Sequence, residues 1–318
     1  MSDYHPPLRP TPPRGIAIQP RTITPLETSA TRRGQHSFPL TAQETAAVVK
    51  QALDEDQAFN DISTLATVVS TRHVRAGIVA RRDGVICGVH LACEAFTQLD
   101  RSITIRIEAE DGTRVQKGDV LLSLSGHARG ILSAERVALN YMQRLSGIAT
   151  LTTRFVDLVA GTGARILDTR KTTPGWRKLE KYAVRMGGGL NHRMDLRSGV
   201  LIKDNHLAAI GGDITLAVSR ARGLARAGTP IQVECDNLDQ VQRSIDAGAD
   251  WVLLDNMSLD MLRAAVELCN GTVITEASGG VTLETVRRIA ETGVDRISVG
   301  ALTHSPAALD VALDFDGL

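Results

Sequence analysis

The sequence predicts an α/β protein in two parts: an N-terminal α/β sandwich domain and a C-terminal (β/α) barrel. Three observations predict it. From about residue 165 onward, short apolar strands alternate with amphipathic helices, the rhythm of a parallel sheet. No G-x-G-x-x-G pattern follows the first of those strands, which argues against an open dinucleotide-binding sheet. The length, 318 residues, exceeds an ordinary single domain, so a second unit precedes the barrel.

Residues 1–36 read as a disordered tail. Pro6, Pro7, Pro10, Pro12, Pro13, Pro20 and Pro25 sit among Arg, Thr and Ser with little to bury. The sandwich domain is expected over 37–145. Thr41 followed by Glu44 is a capping-box pattern, opening a helix through Val48, Val49 and Leu53. Val74–Ala80 runs into Arg81-Arg82-Asp83-Gly84 and then Val85–Cys87, which reads as a hairpin. A helix follows over Val89–Leu99, then a half-buried strand marked by Ile103, Ile105 and Ile107. Gly112, Gly118 and Gly126 punctuate two further strands. Ser133-Ala134-Glu135-Arg136 reads as the cap of a long helical region that Gly147 interrupts.

The barrel domain is expected over 146–318, its last residues returning to the sandwich. Its strands are Arg165–Leu167, Val200–Ile202, Ile231–Val233, Trp251–Leu254, Val273–Thr275 and Arg296–Val299. Helices fall between them, among them Leu238–Ala247, Leu259–Cys269 and Leu283–Glu291. Six such units with short connections predict a closed or nearly closed barrel.

Composition excludes several classes of function. Hydrophobic residues are 43% and charged residues 23%, as in soluble globular proteins. Lys+Arg and Asp+Glu are both 36, and aromatics are 3%, which argues against a nucleic-acid-binding surface. No apolar run is long enough to span a bilayer, and the first residues do not read as a secretory signal. Cys87, Cys93, Cys235 and Cys269 form no metal-ligand spacing and read as reduced cytoplasmic thiols.

In a barrel of this kind, chemistry sits at the C-terminal ends of the strands. Polar residues follow all six: Asp168 to Gly175, Lys203 to His206, Glu234 to Asn237, Asp255-Asn256, Glu276 to Gly280, and Gly300-Ala301. Charge is segregated as well. Arg165–Lys203 holds ten Lys+Arg against three acids, and Glu234–Glu276 holds nine acids against two Arg. The basic stretch suits phosphates or a dicarboxylate. The acidic stretch suits sugar hydroxyls and Mg²⁺. The glycine-containing runs Ser278-Gly279-Gly280 and Val299-Gly300-Ala301 suit a phosphate cradle. A phosphorylated sugar, a magnesium-bound pyrophosphate and an organic carboxylate together indicate phosphoribosyl transfer. Simpler readings stand beside these. Arg177, Lys181 and Arg185 are four apart and fit a solvated helix stripe equally well. Asp255 fits a helix cap. His206 reads as a packed histidine, and His73, His90 and His127 as structural, whereas the polar loop around His192 favours function.

The ordered motifs are similar to those of quinolinate phosphoribosyltransferases. They are Glu135 to Asn140 with Leu145 to Thr150, Asp168 to Gly175, and Gly187-Gly188-Gly189 with Asn191-His192-Arg193. Leu201 to His206, Leu253 to Asn256, Ser278 to Gly280 and Ser298 to Thr303 complete the set. The resemblance runs from about residue 40 to the C-terminus. It implies a sandwich domain joined to an incomplete α/β barrel, and a homodimer in which one subunit's sandwich covers the other's barrel mouth; a hexamer is also compatible. It implies transfer of phosphoribosyl from phosphoribosyl pyrophosphate to quinolinate, with loss of CO₂, using Mg²⁺. By position, Arg136 reaches the neighbouring subunit's quinolinate. Thr169, Arg170, Lys171, His192 and Arg193 hold the quinolinate carboxylates, Lys171 also lying near the pyrophosphate. Lys203 contacts the donor, Glu234 and Asp255 hold the ribose hydroxyls and the metal, and Ser278–Gly280 with Val299–Ala301 bind the 5′-phosphate. One departure stands out: the position two before Glu234, often acidic in this family, is Gln232, which either weakens metal binding or matters little, since Glu234 and Asp236 remain. Competing readings are a phosphoribosyltransferase of the same fold with another acceptor, nicotinate included, and a non-catalytic metabolite-binding barrel.

Overall fold

The first described helix, α1 (Ala42–Glu55), begins where Thr41 and Glu44 cap each other: the Glu44 N–H donates to Thr41 Oγ1 at 3.2 Å, and the Thr41 N–H donates to Glu44 Oε2 at 2.8 Å. The computed structural model describes residues 37–316, so the proline-rich segment 1–36 lies outside it. After α1 come α2 (Ile62–Thr67), β1 (His73–Ala80), β2 (Gly84–Val85), α3 (Val89–Leu99), β3 (Thr104–Ile107), β4 (Arg114–Val115) and β5 (Val120–His127). The buried faces of α1 and α3, with Val49, Leu53, Leu91 and Phe96 fully enclosed, help form the core of this domain.

The anticipated hairpin does not form. β1 pairs with β5 instead, and the two-residue β2 pairs with β4 in a separate ribbon. The reason is downstream: a strand from the far end of the chain, β12 (Val311–Phe315), takes the other edge of β1. The four-stranded antiparallel sheet therefore runs β12-β1-β5-β3.

One helix, α4 (Ala128–Leu158, 31 residues), joins the two halves. It starts before the Ser133 cap read from the sequence. Ser133 lies inside it and donates to Asp61 Oδ2 at 3.0 Å. Nor does Gly147 interrupt it. A Cβ there would stand 2.2 Å from the Ala307 carbonyl oxygen, so the glycine serves close packing of the returning C-terminal segment against the helix. That return is fixed by the Leu309 N–H donating to the Gln143 carbonyl at 3.0 Å, and by Gln143 Nε2 donating to the Val311 carbonyl at 3.0 Å.

The barrel half comprises β6 (Arg165–Leu167), α5 (Arg177–Met186), β7 (Val200–Ile202), α6 (Asp204–Ala208), α7 (Ile214–Leu224), β8 (Ile231–Cys235) and α8 (Leu238–Asp246). It continues with β9 (Trp251–Asp255), α9 (Leu259–Cys269), β10 (Ile274–Ser278), α10 (Val286–Ala290), β11 (Arg296–Ser298) and α11 (Ala301–His304). Its six strands are parallel, in the order β6-β11-β10-β9-β8-β7. No ladder joins β6 to β7, so the wall is incomplete rather than closed. At that seam the chain at Leu190 runs beside β6, its N–H donating to the Ile166 carbonyl at 2.8 Å. The loop that follows Leu190, carrying His192 and Arg193, is thereby delivered to the barrel mouth.

Candidate active site

The C-terminal ends of the six strands enclose a cleft of about 830 Å³. On one side lie Thr169, Arg170 and Lys171, which follow β6. The Lys171 N–H donates to Thr169 Oγ1 at 3.0 Å, and Thr303 Oγ1 donates to the Lys171 carbonyl at 2.7 Å, so the turn is held at both ends. The Arg170 Nε is buried and has no hydrogen-bond partner among the described residues. A buried donor of that kind costs free energy until an acceptor arrives.

His192 and Arg193 reach the cleft because Asp168 grips their loop. Asp168 is fully buried and accepts from the His192 N–H at 2.8 Å, from Asn191 Nδ2 at 2.6 Å and from Lys181 Nζ. Lys181, also fully buried, donates in addition to the His192 carbonyl at 3.0 Å. Burial pushes the Asp168 carboxyl up and the Lys181 ammonium down from their ordinary values, each opposing the pair's mutual attraction. The stripe of three cations on α5 is therefore not solvated as a whole. Arg177 bonds Thr172 Oγ1 at 3.0 Å and Arg185 bonds Asn191 Oδ1 at 2.8 Å, so the stripe scaffolds the loops. Burial, and after it the charge of Arg170, holds the Arg193 guanidinium below its ordinary pKa. Two crowded cations facing one space favour an anion there.

Across the cleft, β8 and β9 present Glu234 and Asp255. Lys203, just after β7, donates to Glu234 Oε2 at 2.5 Å. Asn256 donates from Nδ2 to Asp255 Oδ2 at 2.8 Å and adopts a left-handed φ of 53°. His206 is not packed: it is exposed, and its Nδ1 accepts from the Lys203 N–H at 2.9 Å, pinning the turn after β7.

At the far end, Ser278-Gly279-Gly280 and Val299-Gly300-Ala301 line the cleft. Gly279 has φ +91°, and a Cβ on it would meet Asn256 Oδ1 at 2.1 Å, so only glycine fits beside that asparagine. The Val299 N–H is engaged by the Leu167 carbonyl at 2.9 Å, so any phosphate contact at this run falls to its neighbours.

Comparison with known proteins decides the family. The models for the quinolinate phosphoribosyl transferase N-terminal and C-terminal domains match residues 61–146 and 148–314. This chain belongs to the quinolinate phosphoribosyltransferase family. It is 44% identical to a carboxylating nicotinate-nucleotide pyrophosphorylase of Mycobacterium leprae, over 84% of this chain and 95% of that protein. A chloroplastic relative from Arabidopsis thaliana is 41% identical, covering 96% of this chain and 93% of its own. The solved nicotinate-nucleotide pyrophosphorylase of Francisella tularensis superposes with a TM-score of 0.84 at 38% identity, over 89% of this chain and 99% of that one.

Against the family's motifs, fourteen of the fifteen residues anticipated from the sequence line this one cleft. Arg136 does not. It is exposed on α4 and is not among the residues that line the cleft. Glu276, His304 and Ser298 line the cleft without having been given a role from the sequence. Glu276 follows a strand-end pattern visible in the sequence; His304 becomes legible only once α11 is seen to fold over the mouth. Gln232 is 2% exposed, and its side chain is committed to hydrogen bonds with Glu276 and His192.

Proposed function

We propose that the cleft performs the family's reaction: phosphoribosyl pyrophosphate and quinolinate give nicotinate mononucleotide, pyrophosphate and CO₂, a step in de novo NAD synthesis. The observation that carries the acceptor assignment is the pairing of Arg170, whose buried Nε lacks a partner among the described residues, with Arg193 beside it. Together with Lys171 they offer more cationic grip than a single carboxylate needs.

The residues divide the work. Arg170, Arg193 and Lys171 hold the two carboxylates and aim the ring nitrogen at the anomeric carbon, with Thr169 and His192 shaping the same side. The Ser278–Gly280 and Gly300-Ala301 turns hold the 5′-phosphate. Glu234 and Asp255 hold the ribose hydroxyls and favour a sugar that becomes cationic as its bond to pyrophosphate breaks, as in glycoside chemistry. Lys203 and Lys171 balance charge on the departing pyrophosphate. The ring nitrogen then forms the new C–N bond and becomes cationic. The adjacent carboxylate leaves as CO₂, the ring N⁺ stabilising the electron pair left on carbon until it takes a proton. Positioning and electrostatics supply the catalysis, without a covalent enzyme intermediate.

The donor set fits Mg²⁺. Among the described residues no group of three or more His, Cys, Asp or Glu side chains could hold a metal, while Glu234 and Asp255 offer two carboxylates on adjacent strands. Magnesium is commonly bound this way, by few carboxylates plus substrate phosphates. When bound, it would neutralise charge on the pyrophosphate.

The working unit in this reading is a homodimer whose sites are completed across the interface. Arg136 lies on the face of α4 that also carries Arg129 and Ser133, which bond Val68 and Asp61 around α2. That same region exposes Ile62 at 81% and Val69 at 67%. An arginine that does not line its own cleft, beside uncovered apolar side chains, suits a second copy. Mixing Arg136→Ala protein with Lys171→Ala protein, each inactive alone, should restore about a quarter of the parent activity through mixed dimers. No recovery after verified subunit exchange would remove Arg136 from the partner's site. A cytoplasmic location accords with four free cysteines. No described helix is long and apolar enough to cross a membrane.

The assay that tests the reaction supplies phosphoribosyl pyrophosphate and Mg²⁺ with quinolinate or with nicotinate. Nicotinate mononucleotide and CO₂ from quinolinate alone is expected. Product from nicotinate alone would overturn the acceptor assignment.

A further inference from the structure

Beneath the cleft floor, Gln232 links two residues that do line it. Its Nε2 donates to Glu276 Oε2 at 3.1 Å, and its Oε1 lies 3.1 Å from His192 Nε2. The other ring nitrogen, His192 Nδ1, accepts the backbone N–H of Arg193 at 2.7 Å. An atom that accepts an N–H carries no proton itself, so the ring proton is on Nε2 and points to the Gln232 oxygen. The second carboxyl oxygen, Glu276 Oε1, is 3.4 Å from the same Nε2 and has no hydrogen-bond partner among the described residues, so the Gln232 oxygen is the better-placed acceptor for the ring. Among the described residues, the Gln232 amide is thus the side chain that donates a hydrogen bond to the glutamate and accepts one from the histidine.

We propose that Gln232 is a positioning residue for the acceptor side of the cleft: it fixes His192 as the Nε2–H tautomer, which commits Nδ1 to the Arg193 N–H and so sets where Arg193 enters the site. This rests on the acceptor reading above and refines it. Both ring nitrogens of His192 are engaged inside the protein, and through Nδ1 the histidine orders Arg193. The backbone on either side is held independently, by Asp168 on the His192 N–H and Lys181 on its carbonyl. The ring's Nε2 is the part that Gln232 holds. A glutamate at 232 would stand against the buried Glu276 carboxylate, so the two would hold one proton between them, which restores a donor to Glu276 and keeps an acceptor for His192; a methionine would keep the length and lose both.

The test compares the parent enzyme with Gln232→Met and Gln232→Glu. Gln232→Met should raise the KM for quinolinate about tenfold while leaving the KM for phosphoribosyl pyrophosphate within about twofold. Gln232→Glu should stay within about threefold of the parent for both. Nitrogen-15 NMR of the histidine rings should show His192 as Nε2–H in the parent and as a mixture of tautomers in Gln232→Met. Should Gln232→Met fail to fold, the parent's tautomer and the Gln232→Glu kinetics still decide. An Nδ1–H ring in the parent overturns the proposal. So does a folded Gln232→Met enzyme with unchanged quinolinate KM, or with both KM values raised alike. A parent enzyme that makes no product from quinolinate would refute the acceptor reading instead, and the tautomer measurement would still judge Gln232.

Discussion

The two sides of the cleft are built on opposite plans. The acidic side is simple: Glu234 and Asp255 stand on two adjacent strands, each met by one neighbouring side chain, Lys203 and Asn256. The basic side is layered. Arg170 and Arg193 face the cleft, and behind them a buried Asp168–Lys181 pair ties β6, α5 and the 190–193 loop together. The difference follows from where each side stands in the barrel. β8 and β9 have paired strands on both flanks, so backbone ladders fix their carboxylates. The 190–193 loop sits at the open seam, where backbone pairing stops at the single Leu167–Leu190 bridge, and beyond it a buried ion network takes over the ladder's role. Such a network is costly to break, because removing one member leaves an uncompensated buried charge.

The largest effect expected from this contrast is therefore on stability and at the basic side. Lys181→Met should destabilise the protein by about 3–5 kcal/mol, since Asp168 would lose its buried partner; denaturant unfolding measures it. A change below about 1 kcal/mol would mean that the seam is held some other way. Next in size, Arg170→Ala should cost about 1.5–3 kcal/mol of quinolinate binding, roughly ten- to a hundredfold in affinity, through loss of a charge-assisted bond. Unchanged affinity would take Arg170 out of the site. The smallest effect lies at the edge of the basic stretch, where Lys178 pairs with Glu44 at 2.7 Å. That hydrogen bond and the capping box hold the Glu44 carboxyl down at about 2, against 4.5 ordinarily. A depressed folded-state pKa gives a contribution present above the ordinary value and lost as pH falls toward 2. NMR titration of Glu44 reads it directly. A midpoint near the ordinary value would show the pair to be dispersed by solvent, as exposed pairs often are.

Much of this was legible in the chain. The six barrel strands stand within one to three residues of their expected ends, because short apolar runs between helices leave little freedom. The strand-end polar residues converge on one cleft for the same reason. What the sequence hid was non-local. Gly84 reads as a hairpin turn until β12, more than two hundred residues away, claims the edge of β1. Gly147 reads as a helix breaker until Ala307 is seen against it. Segment charge misled in a similar way: of the ten cations between Arg165 and Lys203, Arg177, Lys178, Lys181 and Arg185 serve as scaffold or surface pairs, and the cleft itself receives four, Arg170, Lys171, Arg193 and Lys203. Which cations those are depends on burial and on the loop at the seam, neither of which has a periodic signature.

The account's central claim is that the basic side holds the acceptor and the acidic side holds the donor. Calorimetric binding of quinolinate, and separately of phosphoribosyl pyrophosphate with Mg²⁺, to the Arg170→Ala and Asp255→Asn proteins tests it most directly. The account predicts a crossed pattern: Arg170→Ala weakens quinolinate and spares phosphoribosyl pyrophosphate, and Asp255→Asn does the reverse. Equal weakening of both ligands by either substitution would contradict it.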